Sequence, residues 1–164
     1  MFPRKIKNFN AFLDGATWVG RITEGKLPDL ALKTDEFRGG GMHGSVDIVM
    51  GQDKMEAEVT LAEWDPQAIN LWGQNKSLVL RPAAQGEGDF SADAHIFTMM
   101  GRWNKITPDT LKVADTANLK MMCNVTYFKA ENAGVQTVEI DVENMIHTVN
   151  GVDQMAAMRA AMGA

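Results

Sequence analysis

Residues Met55 to Ala62, MEAEVTLA, alternate without interruption: Met55, Ala57, Val59 and Leu61 are apolar, while Glu56, Glu58 and Thr60 between them are polar. A period of two places these sets on opposite faces of a pleated strand. The run before it, Ser45 to Met50, also alternates, with Val46, Ile48 and Met50 against Ser45, Asp47 and Val49. Gly51-Gln52-Asp53-Lys54 lies between the two runs and supplies turn chemistry. The expectation is a hairpin over Ser45 to Ala62 with one face in a core and the other wet and acidic. A strand with one apolar face needs a second layer to cover it, so the chain must build a sandwich or close a barrel.

The rest of the chain repeats this pattern. Met1 to Asn10 reads as a short basic lead, extended and ordered only by what it touches. Asp14-Gly15 between the strand-like runs Ala11 to Asp14 and Thr17 to Ile22 is a hairpin signal. Asp65-Pro66 opens a helix of two to three turns, Asp as N-cap and Pro at the first position, with Ala68, Ile69, Leu71 and Trp72 as its stripe and Gly73 as its stop. Ser77 to Arg81 and Asp93 to Trp103 read as strands, Pro82 to Ala92 as an exposed loop, and Asn104 to Asn118 as irregular. Leu119 to Lys129 is the longest strand, joined through Glu131-Asn132-Ala133-Gly134 to Val135 to Asn144 as a hairpin. After the turn Val149 to Asp153, Gln154 to Met162 reads as a helix with Met155, Met158 and Met162 on its stripe and Gly163 as its cap. The fold class expected is mainly β, a sandwich or barrel with one short packed helix and a short C-terminal helix, in a single domain over residues 1–164.

At 164 residues the chain is long enough for one self-sufficient core. Apolar residues at 45% and charged residues at 23% are ordinary for a soluble globular protein, and no apolar run is long enough to span a membrane. The single cysteine, Cys123, sits in the apolar run MMCNVTYF and is expected to be buried and reduced. The N-terminus has basic residues but no apolar segment of a secretory signal, so synthesis in a cytoplasm is expected. A net charge of −5 with scattered Lys and Arg argues against a protein that reads nucleic acid. His43, His95 and His147 lie far apart without a carboxylate or cysteine at ligand spacing, so no metal site is expected. There is no nucleophile elbow and no dinucleotide fingerprint, and Arg38-Gly39-Gly40-Gly41 lacks the lysine of a phosphate cradle. No enzymatic activity and no cofactor are expected. The twelve methionines are spread through strands and the last helix, as gap-filling core and subunit packing would place them.

One stretch does not fit a self-contained domain. Leu27 to Gly44, LPDLALKTDEFRGGGMHG, is opened by Leu-Pro and closed by three glycines before Met42, and carries Leu30, Leu32 and Phe37 between charges. A long loop with its own apolar anchors either folds over its own core as a lid or lies on a partner. The residues alone leave both open.

The segments FLDGATWVGRI, LPDLALKTDEFRGGGMHGSVDIVMG and VEIDVENMIHTVNGVDQMAAMR closely resemble the major tail tube protein of P2-like contractile-tailed phages and the tube protein of R-type pyocins. The LPxL and KTxxxRGGGM elements, the EID strand and the NGVD turn stand in that family's order and spacing, and the resemblance covers nearly the whole chain. It implies a subunit that forms hexameric rings stacked into the inner tube of a virion tail, assembled in the host cytoplasm. It also implies partners: a tail sheath protein, a tape-measure protein, a baseplate hub and a tail terminator, with DNA passing through the lumen without specific binding. It favours partner contact for Leu27, Leu30, Leu32, Phe37, Arg38, Gly39, Gly40, Gly41 and Met42, and between subunits for Met155 and Met158. It further favours a lumen lined by Asp47, Glu56, Glu58 and Thr60, a negatively charged wall; without it, those residues read as a solvated outer face. A small monomeric β-sandwich that serves as a binding or adaptor module is the competing expectation.

Overall fold

The computed structural model describes residues 2–164. Its strands are β1 (Lys5–Leu13), β2 (Ala16–Thr17), β3 (Ile22–Lys26), β4 (Leu32–Phe37), β5 (Val46–Gln52), β6 (Met55–Leu61), β7 (Asn75–Gln85), β8 (Ala92–Pro108), β9 (Leu119–Asn132), β10 (Val135–Asp141), β11 (Ile146–Val149) and β12 (Val152–Asp153). The helices are α1 (Pro66–Ile69) and α2 (Ala156–Met162). All ladders are antiparallel. One sheet runs β12-β11-β10-β9-β8-β7-β1-β2, with β6 added to β9 and β3 added to β6.

That sheet makes two layers because β8 and β9 bend together. The Leu119–Val125 half of β9 pairs with β6 and with the end of β8, whereas its Tyr127–Asn132 half pairs with β10 and the first half of β8. Between the halves the register slips, Met100 facing Tyr127 and Gly101 facing Val125, which leaves Thr126 as the extra residue of a bulge. A Cβ on Gly101 would stand 2.0 Å from the backbone oxygen of Asn124, so only glycine fits the bend. The first layer is β3-β6-β9-β8 and the second is β10-β9-β8-β7-β1. Gly25 of β3 closes the two together, its Cβ position lying 3.3 Å from Leu80 of β7. Val59, Leu61, Leu78, Met99, Trp103 and Met121 fill the space between.

The alternation of Met55 to Leu61 is realised as expected: all four apolar residues are buried. Cys123, directly opposite Ala57, is buried and free, and burial pushes its thiol up to about 12. The Asp14-Gly15 turn joins β1 to β2, both residues at positive φ as a tight hairpin requires. Gly163 caps α2 at φ 72.

Several elements differ from the expectation. The basic lead is extended as expected, but from Lys5 it is a full strand, β1, paired with β7 as far as Gln85. The loop expected over Pro82 to Ala92 shrinks to the turn after Gln85, and Asn104 to Pro108, expected to be irregular, extends β8. Helix α1 is a single turn: Asp65 accepts from the Gln67 N–H at 2.8 Å as its cap, Ala68 is buried, and the chain leaves the helix at Asn70. The expected hairpin over Ser45 to Ala62 does not form. Both edges of β6 are occupied, by β3 and β9, so β5 pairs backwards with β4 instead. The supposed loop Leu27 to Gly44 is therefore half of a separate two-stranded arm, closed at its base by the Asp53 N–H donating to Ala31 O at 2.9 Å.

Candidate assembly interface

The arm stands on one side of the molecule with no ladder to the main sheet. Register sets its faces: Phe37 pairs with Val46 and Asp35 with Ile48, while Glu36 with Asp47 and Thr34 with Val49 occupy the other side. Phe37, Val46 and Ile48 thus form an apolar patch on one face, beside Asp35, and each is about half exposed. At the tip the Gly39 N–H donates to the Met42 sulfur at 3.1 Å, and the Phe37 ring lies 3.4 Å from where a Gly39 Cβ would be. Arg38 is exposed beside them, and Gly40 faces open space. Ser45 Oγ donates to Glu36, which tightens the strand entry across the tip. Leu30 and Leu32 are exposed near the base, but Leu27 packs against the core and belongs to the body of the molecule. The apolar residues Leu30, Leu32 and Phe37 are thus joined by Val46 and Ile48, which period-two alternation assigns to the core.

A groove of about 670 Å³ separates the arm's base from the C-terminal hairpin, with Leu32 and Val49 on one wall and Ile140, Val142, Ile146 and Met155 on the other. Helix α2 lies beyond it and buries none of its residues, Met158 being 54% exposed. Apart from Arg159 its residues are Ala and Met, and a helix surface this apolar is normally covered. One arginine holds it: Arg159 donates to Asp153 at 2.6 Å and to Met145 O at 2.7 Å. The Arg159 guanidinium, then the Met155 N–H, hold the Asp153 carboxyl below the usual carboxylate range.

The face of the first layer turned away from the core carries the residues expected to be acidic. Rows across the strands read Glu24, Thr60, Lys120, Thr107, then Lys26, Glu58, Met122, Lys105, then Glu56, Asn124, Arg102. Three carboxylates therefore share the face with Lys26, Arg102, Lys105 and Lys120. Glu56 is tied to Lys54 at 2.7 Å. This corrects the uniformly acidic face: the strands on either side of β6 contribute basic groups that one strand's sequence cannot reveal. Thr60 is 9% exposed and so is not a wet residue, and Asp47 is not on this face, since β5 belongs to the arm. Among the described residues no group of three His, Cys, Asp or Glu could hold a metal ion, and no helix is long and apolar enough to cross a membrane.

The fold is similar to that of a chain in the cryo-EM structure of an extracellular contractile injection system, a PVC sheath-tube complex in the extended state. The TM-score is 0.60, with 79% of this chain and 92% of that chain covered, and the identity of 9% makes this a likeness of fold. Sequence carries the assignment further. The chain belongs to the family described as Phage tail tube protein FII, which matches residues 3–163. It is 32% identical to the tail tube protein of Escherichia phage P2 over 98% of both chains. It is 27% identical to the major tail tube protein of Serratia phage KSP20 over 91% of this chain and 89% of that one. The chain is thus a structural component of a contractile phage tail or related injection system, and not an enzyme.

Proposed function

We propose that copies of this chain close into six-membered rings that stack into the hollow inner tube. The observation that supports closure is the first layer's pair of open edges: β3 uses one side only, for β6, and the outer side of β8 loses its partner β7 beyond Arg102. Four strands alternating in direction make an even count. Rotation about an axis along the strands therefore brings β8 of one copy antiparallel to β3 of the next, and the closed barrel has no free edge. Six copies, 24 strands at the usual spacing, give a wall at least about 37 Å across between backbones, and wider as the strands tilt.

In this tube the mixed-charge face of β6 and its neighbours, with Glu56 and Glu58, lines the bore. The balance of carboxylates against Lys26, Arg102, Lys105 and Lys120 gives passing DNA no continuous basic track to bind, and no strongly repelling wall either. The arm, with Phe37, Val46 and Ile48, reaches the adjacent ring, and α2 with Met155 and Met158 packs between subunits. A tail sheath protein surrounds the tube, in line with the sheath-tube complex of the fold neighbour, a tape-measure protein fills it during assembly, and a baseplate hub and a terminator close its ends. Negative-stain microscopy with sizing across a concentration series tests this. Rings and tubes support it; a monomer at every concentration, including in the presence of baseplate components, would establish the adaptor instead.

A further inference from the structure

We infer that Trp64, Ile69 and Trp72 form an aromatic seat beside the open edge of β8, and that its occupant is strand β3 of a second copy of this chain. The inference rests on ring closure as proposed above and names the side chains that hold it. Trp72 is 62% exposed, Trp64 45% and Ile69 36%, a concentration of bare apolar surface around a one-turn helix. Together with Ile106 and Pro108 they line a groove of about 420 Å³. That groove lies where β8 loses its partner. The last backbone bonds on this side are Trp103 N–H to Gln74 O and Gly73 N–H to Trp103 O. Trp72 Nε1 then donates to Asn104 O at 3.2 Å, which pins the indole against the strand. From Lys105 to Pro108 the edge is unpaired, with two indoles beside it.

A strand entering there gains main-chain hydrogen bonds from the edge and apolar cover from the tryptophans. Strand β3 fits for two reasons. It is the other open edge of the same layer, and the rotation that closes the ring presents it in the antiparallel sense. Charge then selects the register. Lys105 and Glu24 point to the same face of the layer, and among the described residues neither has an ion-pair partner. Unstaggered rows would set Lys105 opposite Lys26. A two-residue stagger, of the kind a tilted barrel requires, sets it opposite Glu24. Val19, 70% exposed just ahead of β3, gives the incoming strand an apolar group to present to the seat.

The four tryptophans make the test direct, because Trp18 and Trp103 are buried in the monomer and only Trp64 and Trp72 are open to quencher. Acrylamide quenching of the unassembled wild-type chain should fall at least about threefold when rings form. Trp72→Ala should raise the protein concentration for half-assembly by about tenfold or more, as loss of an interface tryptophan does, with an unchanged thermal midpoint of the monomer. Glu24→Lys should weaken assembly, and adding Lys105→Glu should restore it. Wild-type rings whose tryptophans stay as quenchable as in the monomer would overturn the seat while leaving the rings standing. So would assembly of Trp72→Ala at the wild-type concentration, or no rescue by the charge swap. A wild-type chain that forms no rings under any condition overturns the seat and ring closure together.

Discussion

Strands β6 and β5 are adjacent in sequence and alternate alike, yet β6 buries its apolar face completely while β5 leaves its own in the open. The difference lies in their neighbours. β6 is flanked by β3 and β9 and backed by a second layer, whereas β5 has only β4. An isolated two-stranded ribbon is marginal in water. Alternation thus tells that a face is apolar and leaves open what covers it: in β6 the chain itself, and in the arm, on the function proposed above, a neighbouring subunit.

The largest effect should come from the bend that builds the covered region. Gly101→Ala places a methyl group inside the Asn124 carbonyl and should cost about 3 kcal/mol or more, read as a loss of denaturation midpoint in the monomer. Leu61→Ala, a fully buried site between the layers, should cost about 2–5 kcal/mol in the same assay. On the arm the sign of the comparison reverses. Phe37→Ala combined with Ile48→Ala should move monomer stability by no more than about 0.5 kcal/mol per site and still abolish ring stacking. Monomer melting with intact stacking would make the arm a lid on its own core.

The smallest effect concerns the anchor of α2. Because Arg159 and the Met155 N–H lower the Asp153 carboxyl in the folded state, their contribution is fully present above the ordinary carboxylate value. It is lost as pH falls through the lowered one, so α2 should stay docked at neutral pH and loosen only below about pH 4. Amide exchange in Ala156–Met162 followed against pH checks this, and Asp153→Asn should show the loosened behaviour already at neutral pH. An unchanged exchange rate in that variant would mean that α2 is held by something other than Arg159.

Much of the fold was legible because it is local. Turn chemistry at Asp14-Gly15, the cap Asp65 and the buried side of β6 depend on residues within a few positions of one another. What was not legible depends on pairing across the chain. Nothing in Ser45 to Ala62 announces that both edges of β6 are claimed, by Ile22–Lys26 and by Leu119–Val125, so the nearer hairpin is the natural expectation. The charge of the face beyond β6 failed for the same reason: Lys120 and Lys105 reach it from strands about 50 residues or more away. Of the residues proposed for contact, Phe37, Leu30 and Leu32 stand out by being large and apolar in a charged segment. Val46 and Ile48 are hidden in an ordinary strand pattern, Trp72 reads as part of the stripe of a short packed helix, and Trp64, just ahead of that helix, belongs to no pattern. Their exposure was the missing signal.

Hydrogen exchange of the unassembled chain and of assembled tubes tests the central contrast most directly. In the unassembled chain the amides of Leu32–Phe37 and Val46–Gln52 should exchange far faster than those of Met55–Leu61 and Leu119–Val125, and in tubes they should become comparably protected. Arm amides that are as protected as β6 before assembly, or that stay fast once tubes have formed, would contradict the account of the arm as an assembly element.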